Sequence, residues 1–476
     1  MAARTRFLLL LLTLPLAGCM VGPDYEEPKT EAPPAYDQAK QDGVSGDAVV
    51  VEWWKEFGDP QLDDLIKRAV AENRSVRAAM AAVREARAFL AESELELLPD
   101  GVAGASYTRS KLSEAAAPGI PSDARKVSYW SAGFDAVWEI DLWGRIRRSI
   151  EVASAEAEMV EAFRRDVTVT LLAEVAVHYF ELRGARHELE VAKKNADNLR
   201  ESLRLTTARL NAGRGTELDV ARANADLNTT LALVPPLEAR VAREKNRLAV
   251  LLGVSPTGFT LTLPAPSPLD KLPALVATGR PEDLLRRRPD IREAERRLAA
   301  ATARIGVATA DLFPRLSFSG SFGVDAKSAS DLFSSGSSRY AFGPNLSWDV
   351  LNLASTSARI RAADARADGE LARYEESVFT ALEETENALV NYGRARARRD
   401  ALVEGVRAGE RAAALADARY RGGADDYLSS LLAQRTVLSL QLQLAESQTN
   451  TVTALIALYK ALGGGWETFE PGASTP

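Results

Sequence analysis

Leu316-Ser317-Phe318-Ser319-Gly320-Ser321-Phe322-Gly323-Val324 alternates residues of two kinds: Leu, Phe, Gly or Val at even positions, Ser or Gly at odd ones. A period of two belongs to a β-strand, whose successive side chains point to opposite faces. A partner run sets Tyr340, Phe342, Pro344, Leu346 and Trp348 against Ala341, Gly343, Asn345 and Ser347. Asp325–Ser338 between them reads as a loop in water. The pattern recurs upstream, where Trp130, Phe134 and Trp138 alternate with Ser131, Gly133 and Asp135. Before it come a loop, Ser110–Lys126, and a less regular strand over Gly101–Arg109. Apolar residues on one face, small polar ones on the other and aromatics at the ends mark a transmembrane β-barrel strand. A soluble hairpin with one buried face shares the alternation and stays open on the strands alone.

Strand number sharpens the choice. Outer-membrane barrels need at least about eight strands, and an open sheet edge in lipid leaves backbone groups unpaired. Four strands in one chain therefore require further copies. Three copies give twelve strands and an aqueous interior, while counting alone also permits two or four.

The hairpins sit inside an internal repeat. Trp138 pairs with Trp348, Arg209 with Arg419, Gly213 with Gly423, and Leu252-Gly253 with Leu462-Gly463, all 210 positions apart. Val76 with Ile291 and Pro99 with Pro314 are spaced by 215. Each half opens with a predicted helix, Gln61–Leu97 and Pro281–Leu312, which stops at Pro99 or Pro314. After each hairpin comes a very long helix. Trp143–Asn211 contains no proline and keeps a 3-4 apolar spacing through Ile146, Ile150, Ala153, Ala157 and Val160. Gly213 and Gly215 break it, and Thr216 with Asp219 forms a capping box for the returning helix. That helix is interrupted at Pro235-Pro236 and ends at Leu252-Gly253. The second half repeats this with Ala354–Tyr420, a break at Gly422-Gly423, and a return over Asp425–Leu462.

The plan divides the chain into residues 1–18, a signal peptide; 19–60, an N-terminal extension; 61–253, a first repeat with its hairpin at 100–140 and its tip near 213; 254–280, a linker; 281–463, a second repeat with its hairpin at 315–349 and its tip near 423; and 464–476, a tail. The signal rests on Arg4 and Arg6, the apolar Phe7–Leu16 and the small residues of Leu16-Ala17-Gly18-Cys19. An ordinary signal peptide with a cysteine near its cut is the alternative to a lipoprotein signal. No apolar run reaches the ~20 residues of a spanning helix. The 476 residues carry a net charge of −7, which argues against a nucleic-acid binder. Two histidines and one cysteine leave no zinc or haem constellation. The 80 alanines suit closely packed long helices.

Several motifs in order resemble one family. They are Leu16-Ala17-Gly18-Cys19, Trp53-Trp54 before Phe57-x-Asp59-Pro60-x-Leu62, Trp138-Glu139-Ile140-Asp141-Leu142-Trp143-Gly144-Arg145, Arg286-Arg287-Arg288-Pro289-Asp290-Ile291, Arg419-Tyr420-x-x-Gly423, and Leu458-Tyr459-Lys460-Ala461-Leu462-Gly463-Gly464-Gly465-Trp466. Over nearly the whole mature chain they resemble the TolC-like outer membrane factors, in the lipoprotein branch that serves resistance-nodulation-division (RND) efflux systems.

The resemblance implies a mainly α fold with a β-barrel portion: a trimeric channel-tunnel, twelve-stranded in the outer membrane of a Gram-negative bacterium, with an α-helical barrel in the periplasm. An equatorial domain would come from Val21–Pro60, Val254–Gly279 and the C-terminus. Cys19 would carry N-palmitoyl and S-diacylglycerol groups as a lipid anchor, and no other cofactor is implied. Partners would be two further copies, a periplasmic adaptor, an inner-membrane RND-type transporter and outer membrane lipid, with no nucleic acid. The function implied is a passive export duct for small molecules, not an enzyme.

By the same resemblance, Arg209, Gly213, Gly215, Arg421, Gly422 and Gly423 would form adaptor-docking tips, although these glycines also suit left-handed helix ends. Asp425 and Asp426 would ring a threefold gate, held by Arg419 or Tyr420, with helix N-capping as the alternative. One departure stands out. Members of this branch often carry Leu-Leu-Asp-Ala-Gln just beyond, and Leu432 occupies the place of that aspartate. His178 and His187 read as packing or solvated residues, and Gly463–Gly465 lacks the Lys-Ser/Thr of a phosphate loop. With only Met80 and Met159 in the body beyond Met20, no Cu(I) ladder is visible. A type I secretion or metal-efflux duct, or a structural coiled-coil lipoprotein without a pore, remain as alternatives. Cargo is not written in the sequence, because a duct carries what its pump selects.

Overall fold

The structure, a computed structural model, describes residues 20–29, 32–38, 41–265, 269 and 272–470. The signal peptide and Cys19 lie outside the described residues. In chain order the first half holds β1 (Val44–Ser45), α1 (Pro60–Glu72), α2 (Arg74–Leu95), β2 (Asp100–Lys111), β3 (Lys126–Ile140), α3 (Arg145–Asn211), α4 (Glu217–Leu231) and α5 (Val234–Leu251). After β4 (Val276–Ala277) the second half follows with α6 (Pro281–Arg287), α7 (Pro289–Ala310), β5 (Arg315–Ala326), β6 (Ser338–Ser347), α8 (Leu353–Arg421) and α9 (Tyr427–Ala461). The described residues divide into two compact units, one built from 20–29, Ala82–Val160 and Glu293–Tyr374, the other from the remaining described segments.

The first unit contains the sheet. Its order is β2-β3-β5-β6, antiparallel throughout, with β2 and β6 as open edges. Register aligns the aromatics: Phe134 stands opposite Phe322, Trp138 opposite Phe318, and Phe322 also opposite Tyr340. Directly opposed residues share a face, so Trp130, Phe134, Trp138, Phe318, Phe322, Tyr340, Phe342 and Leu346 lie on one side. Phe322 and Phe342 are 67% and 72% exposed, so among the described residues nothing covers these two rings. The other face carries Ser131, Asp135, Ser317, Ser319, Ser321 and Asn345. At the base of the hairpins the duplication appears as a repeated hydrogen bond. Trp138 Nε1 donates to the Leu97 carbonyl at 2.9 Å, and Trp348 Nε1 to the Leu312 carbonyl at 3.1 Å. These pairs reproduce both sequence spacings, 210 and 215.

Chain entry into α3 is set by Asp141, whose carboxylate accepts the N–H groups of Ile146 and Arg147, each at 3.1 Å. The helix starts two residues later than expected, at Arg145 rather than Trp143, because Gly144 takes a left-handed φ of 80°. Its 67 residues correspond to about 100 Å of helix. The described residues directly after Cys19, 20–29, belong to this unit, whereas 32–38 and 41–81 belong to the other. Val21 N–H donates to the Trp143 carbonyl, and buried Arg148 binds the Val21 and Gly22 carbonyls and Asp24.

The second unit corrects the reading of the opening helices. Each predicted helix is two, broken at Asn73 and at Arg288. Asn73 Oδ1 caps α2 by accepting the Ser75 N–H at 2.8 Å, while its Nδ2 donates to the Leu251 carbonyl at 2.8 Å. Arg288 repeats the second bond, with Nη1 donating to the Ala461 carbonyl at 3.1 Å. Each break therefore receives the C-terminal end of a returning helix. Gly253 and Gly463, at φ 69° and 71°, turn the chain there. A Cβ on Gly253 would lie 2.3 Å from the Glu72 carbonyl oxygen, so only glycine fits.

Around these junctions sits an aromatic core. Trp53 and Trp54 are each 1% exposed; Trp53 stacks on Tyr459 at 5.3 Å and Trp54 on Phe469 at 5.9 Å. β1 pairs in parallel with β4, bringing the N-terminal extension and the linker together. Asp59 caps α1 and accepts the Tyr179 hydroxyl at 2.7 Å and Arg183 at 2.6 Å.

Candidate functional site

The candidate site lies where the two long helical hairpins turn, within the second unit. Gly213 and Gly423 take φ of 69° and 72° and end α3 and α8; Gly215 and Gly422 keep ordinary φ. A capping box then starts α4, with Thr216 Oγ1 accepting the Asp219 N–H at 3.2 Å and the Asp219 carboxylate accepting the Thr216 N–H at 3.4 Å. α9 starts at Tyr427, not at Asp425, because Asp426 is its N-cap. The Asp426 carboxylate accepts the Ser429 N–H and hydroxyl, each at 3.0 Å, and these bonds hold it below the usual carboxylate range.

Arg419 Nε lies 3.4 Å from Asp425, and both side chains are solvated enough for a weak pair. Tyr420 turns inward. Its ring is 8% exposed, lies beneath the Arg209 guanidinium at 4.1 Å, and meets Tyr427 at 5.4 Å. Arg209 also donates to the Tyr420 carbonyl at 3.4 Å. The two hairpin ends are thus joined through Arg209 and Tyr420. Arg421 binds Asp417 of its own helix at 2.8 Å. Leu432 is half exposed, whereas neighbouring Leu431 is buried with Tyr420, Tyr427 and Ala223.

Sequence reasoning missed a second link. Asp226 on α4 is 5% exposed and accepts two bonds from Arg435 on α9, one of them Nε at 2.7 Å. These residues are 209 apart, so Asp226 and Arg435 occupy nearly equivalent places in the two halves, and no local pattern in the sequence marks their contact. They border a cleft of about 1020 Å³, lined also by Leu199, Tyr420, Tyr427 and Gln434. Burial, with Asp226 adding to it, pushes the Tyr427 hydroxyl up to about 12, so it stays protonated at neutral pH. Elsewhere, His178 is engaged by Glu244 at 2.7 Å. The site joins two hairpin ends by exchangeable ion pairs and ring contacts.

A family model described as outer membrane efflux protein matches residues 65–254 and 281–464. The chain belongs to this family. It is 35% identical over 463 residues to the solvent efflux pump outer membrane protein SrpC of Pseudomonas putida, covering 95% of this chain and 97% of that one. It is 33% identical to the pyoverdine export outer membrane protein OpmQ of Pseudomonas aeruginosa, covering 90% of each. Among solved structures, the outer-membrane channel OprN superposes with a TM-score of 0.87 at 41% identity, covering 94% of this chain and all of that one. The family is one of outer membrane efflux channels, and the TolC-like fold inferred from the motifs is the fold of these neighbours.

Proposed function

We propose that the chain is the outer membrane duct of a tripartite efflux system. It passes small molecules delivered by an inner-membrane RND-type pump through a periplasmic adaptor. The observation that carries this is a four-stranded sheet, open at both edges, with an uncovered aromatic band on one face and a small polar face on the other. In lipid such a sheet needs its edges paired, and two more copies supply them as a twelve-stranded barrel with the polar face inside. SrpC and OpmQ are named for different cargoes, which fits a duct whose pump selects the cargo.

The duplication specifies how copies join. Within the chain, the last strand of the first hairpin, β3, pairs with the first strand of the second, β5. The equivalent pair is β6 with β2 of the next copy. Carried across the spacings of 210 and 215, the β3–β5 register puts Trp348 opposite Ala103 and Gly343 opposite Thr108 of that copy. At the base of the strands Leu346 of β6 and the adjacent Trp348 thereby meet the small Ala105 and Ala103 of β2. Gly343→Cys with Thr108→Cys in one chain is expected to give covalent trimers on oxidation. Gly343→Cys with Ser106→Cys, a diagonal pair about 7–8 Å apart, is expected to stay uncrosslinked. Equal crosslinking by both pairs, or none by either, refutes this closure.

The hairpin ends supply docking and gating. Arg209, Gly213, Gly215, Arg421, Gly422 and Gly423 face the adaptor, and Arg419, Asp425 and Asp426 form the constriction, with Tyr420 packed behind them rather than holding the carboxylates as expected. Asp226 and Arg435 act as the latch beside it. Asp226→Asn removes the charge that holds Arg435 and is expected to raise single-channel conductance at least about twofold. An unchanged conductance places the latch elsewhere. Cys19 is the lipid attachment point on this reading. Palmitate labelling is expected to disappear in Cys19→Ala while conductance persists, since the barrel itself sits in the bilayer; labelling that survives the substitution rules out this anchor.

A further inference from the structure

The outward face of the first hairpin ends, beside its loop, in three cations. Lys111 and Lys126 stand directly opposite each other in the β2–β3 register, and Arg109 lies on the same face opposite Ser128. This is the face of Trp130 and Phe134. Like charges directly across a strand pair are destabilising, and cations on a lipid-facing surface carry a cost away from the interface. The exposed Asp123 reaches Lys126 at 3.3 Å, and Glu114 is engaged by Arg125. Among the described residues, Arg109 and Lys111 have no ion-pair partner. The strand plan does not demand these charges. A spacing of 215 carries Arg109 and Lys111 onto Val324 and Ala326, and 210 carries Lys126 onto Gly336. One step deeper, Tyr107 packs on Trp130 at 4.3 Å, an amphipathic pair of the kind enriched at membrane–water boundaries.

We propose that Arg109, Lys111 and Lys126 bind the phosphate of a lipid in the outer leaflet. The proposal rests on the channel reading, which sets the loop end of the sheet at the outer surface. A phosphate bridging the two lysines and the arginine accepts charge-assisted hydrogen bonds from all three and removes their mutual repulsion. Tyr107 and Trp130 then meet the apolar part of the same lipid. In the seam register above, Tyr340 and Phe342 of the adjoining copy stand opposite Lys111 and Arg109. Each of the three seams therefore carries one site.

Native mass spectrometry of the full chain tests this, with bisphosphorylated lipid A and its dephosphorylated form as probes. Wild-type trimers are expected to retain up to three phosphorylated lipids and to discriminate against the dephosphorylated form. Each cation beside an anionic headgroup contributes about a fivefold factor, so Lys111→Gln alone weakens retention about fivefold. The triple variant Arg109→Gln, Lys111→Gln, Lys126→Gln weakens it about a hundredfold, with trimer assembly unchanged. Equal retention by the triple variant, equal binding of the dephosphorylated lipid, or displacement by millimolar inorganic phosphate overturns the site. Wild-type trimers without lipid overturn it and leave the channel reading standing, whereas monomers throughout overturn both.

Discussion

Phe322→Arg is expected to destabilise the assembled protein by about 2–4 kcal/mol, the cost of a guanidinium on a lipid-facing strand near mid-bilayer. Phe322 stands in the central pair of strands, between Phe134 and Tyr340, on the uncovered aromatic face. Its loss should abolish assembly of the oligomer and cut the yield in outer membrane fractions. The neighbouring Ser321→Arg places the same side chain on the polar face. That variant should assemble normally and lower cation conductance, because three new positive charges line the lumen. If the two substitutions behave alike, the faces are wrongly assigned.

Trp53→Ala is the second large effect, at about 3–5 kcal/mol. The indole is 1% exposed, stacks on Tyr459 at 5.3 Å, and packs edge-on against Trp54 and Phe57. The 3₁₀ turn Trp53–Phe57 precedes α1, while Tyr459 is near the end of α9, so truncation opens a cavity where distant segments meet. Urea unfolding of the solubilised protein should show a lower midpoint. Wild-type stability in the variant would mean that this core collapses around the loss.

The hairpins were legible because a period of two, sustained over about ten residues, fits the pleat of a strand and not the 3.6-residue turn of a helix. The observed strands lie within a few residues of the expected ones. The long helices were legible from an unbroken 3-4 spacing and the glycines that end them. The breaks at Asn73 and Arg288 were not read, since the apolar series Leu62, Leu65, Ala69 and Val76 runs on across Asn73 in phase. A signal existed in Arg288-Pro289, because a residue before proline avoids the helical region. At the hairpin ends, motif resemblance found Tyr420 and Asp425 but not Asp226 and Arg435. Their partnership depends on two helices meeting across the repeat, a geometry that local patterning does not encode. The Asp425–Asp426 pair shows the division of labour: one carboxylate caps α9, and the other reaches Arg419.

The central claim is that several copies close one water-filled barrel. Conductance of the purified full chain in planar lipid bilayers tests it most directly, with the oligomer counted in the same preparation. The account predicts trimers and discrete, cation-favouring conductance steps. Monomers without conductance would contradict it.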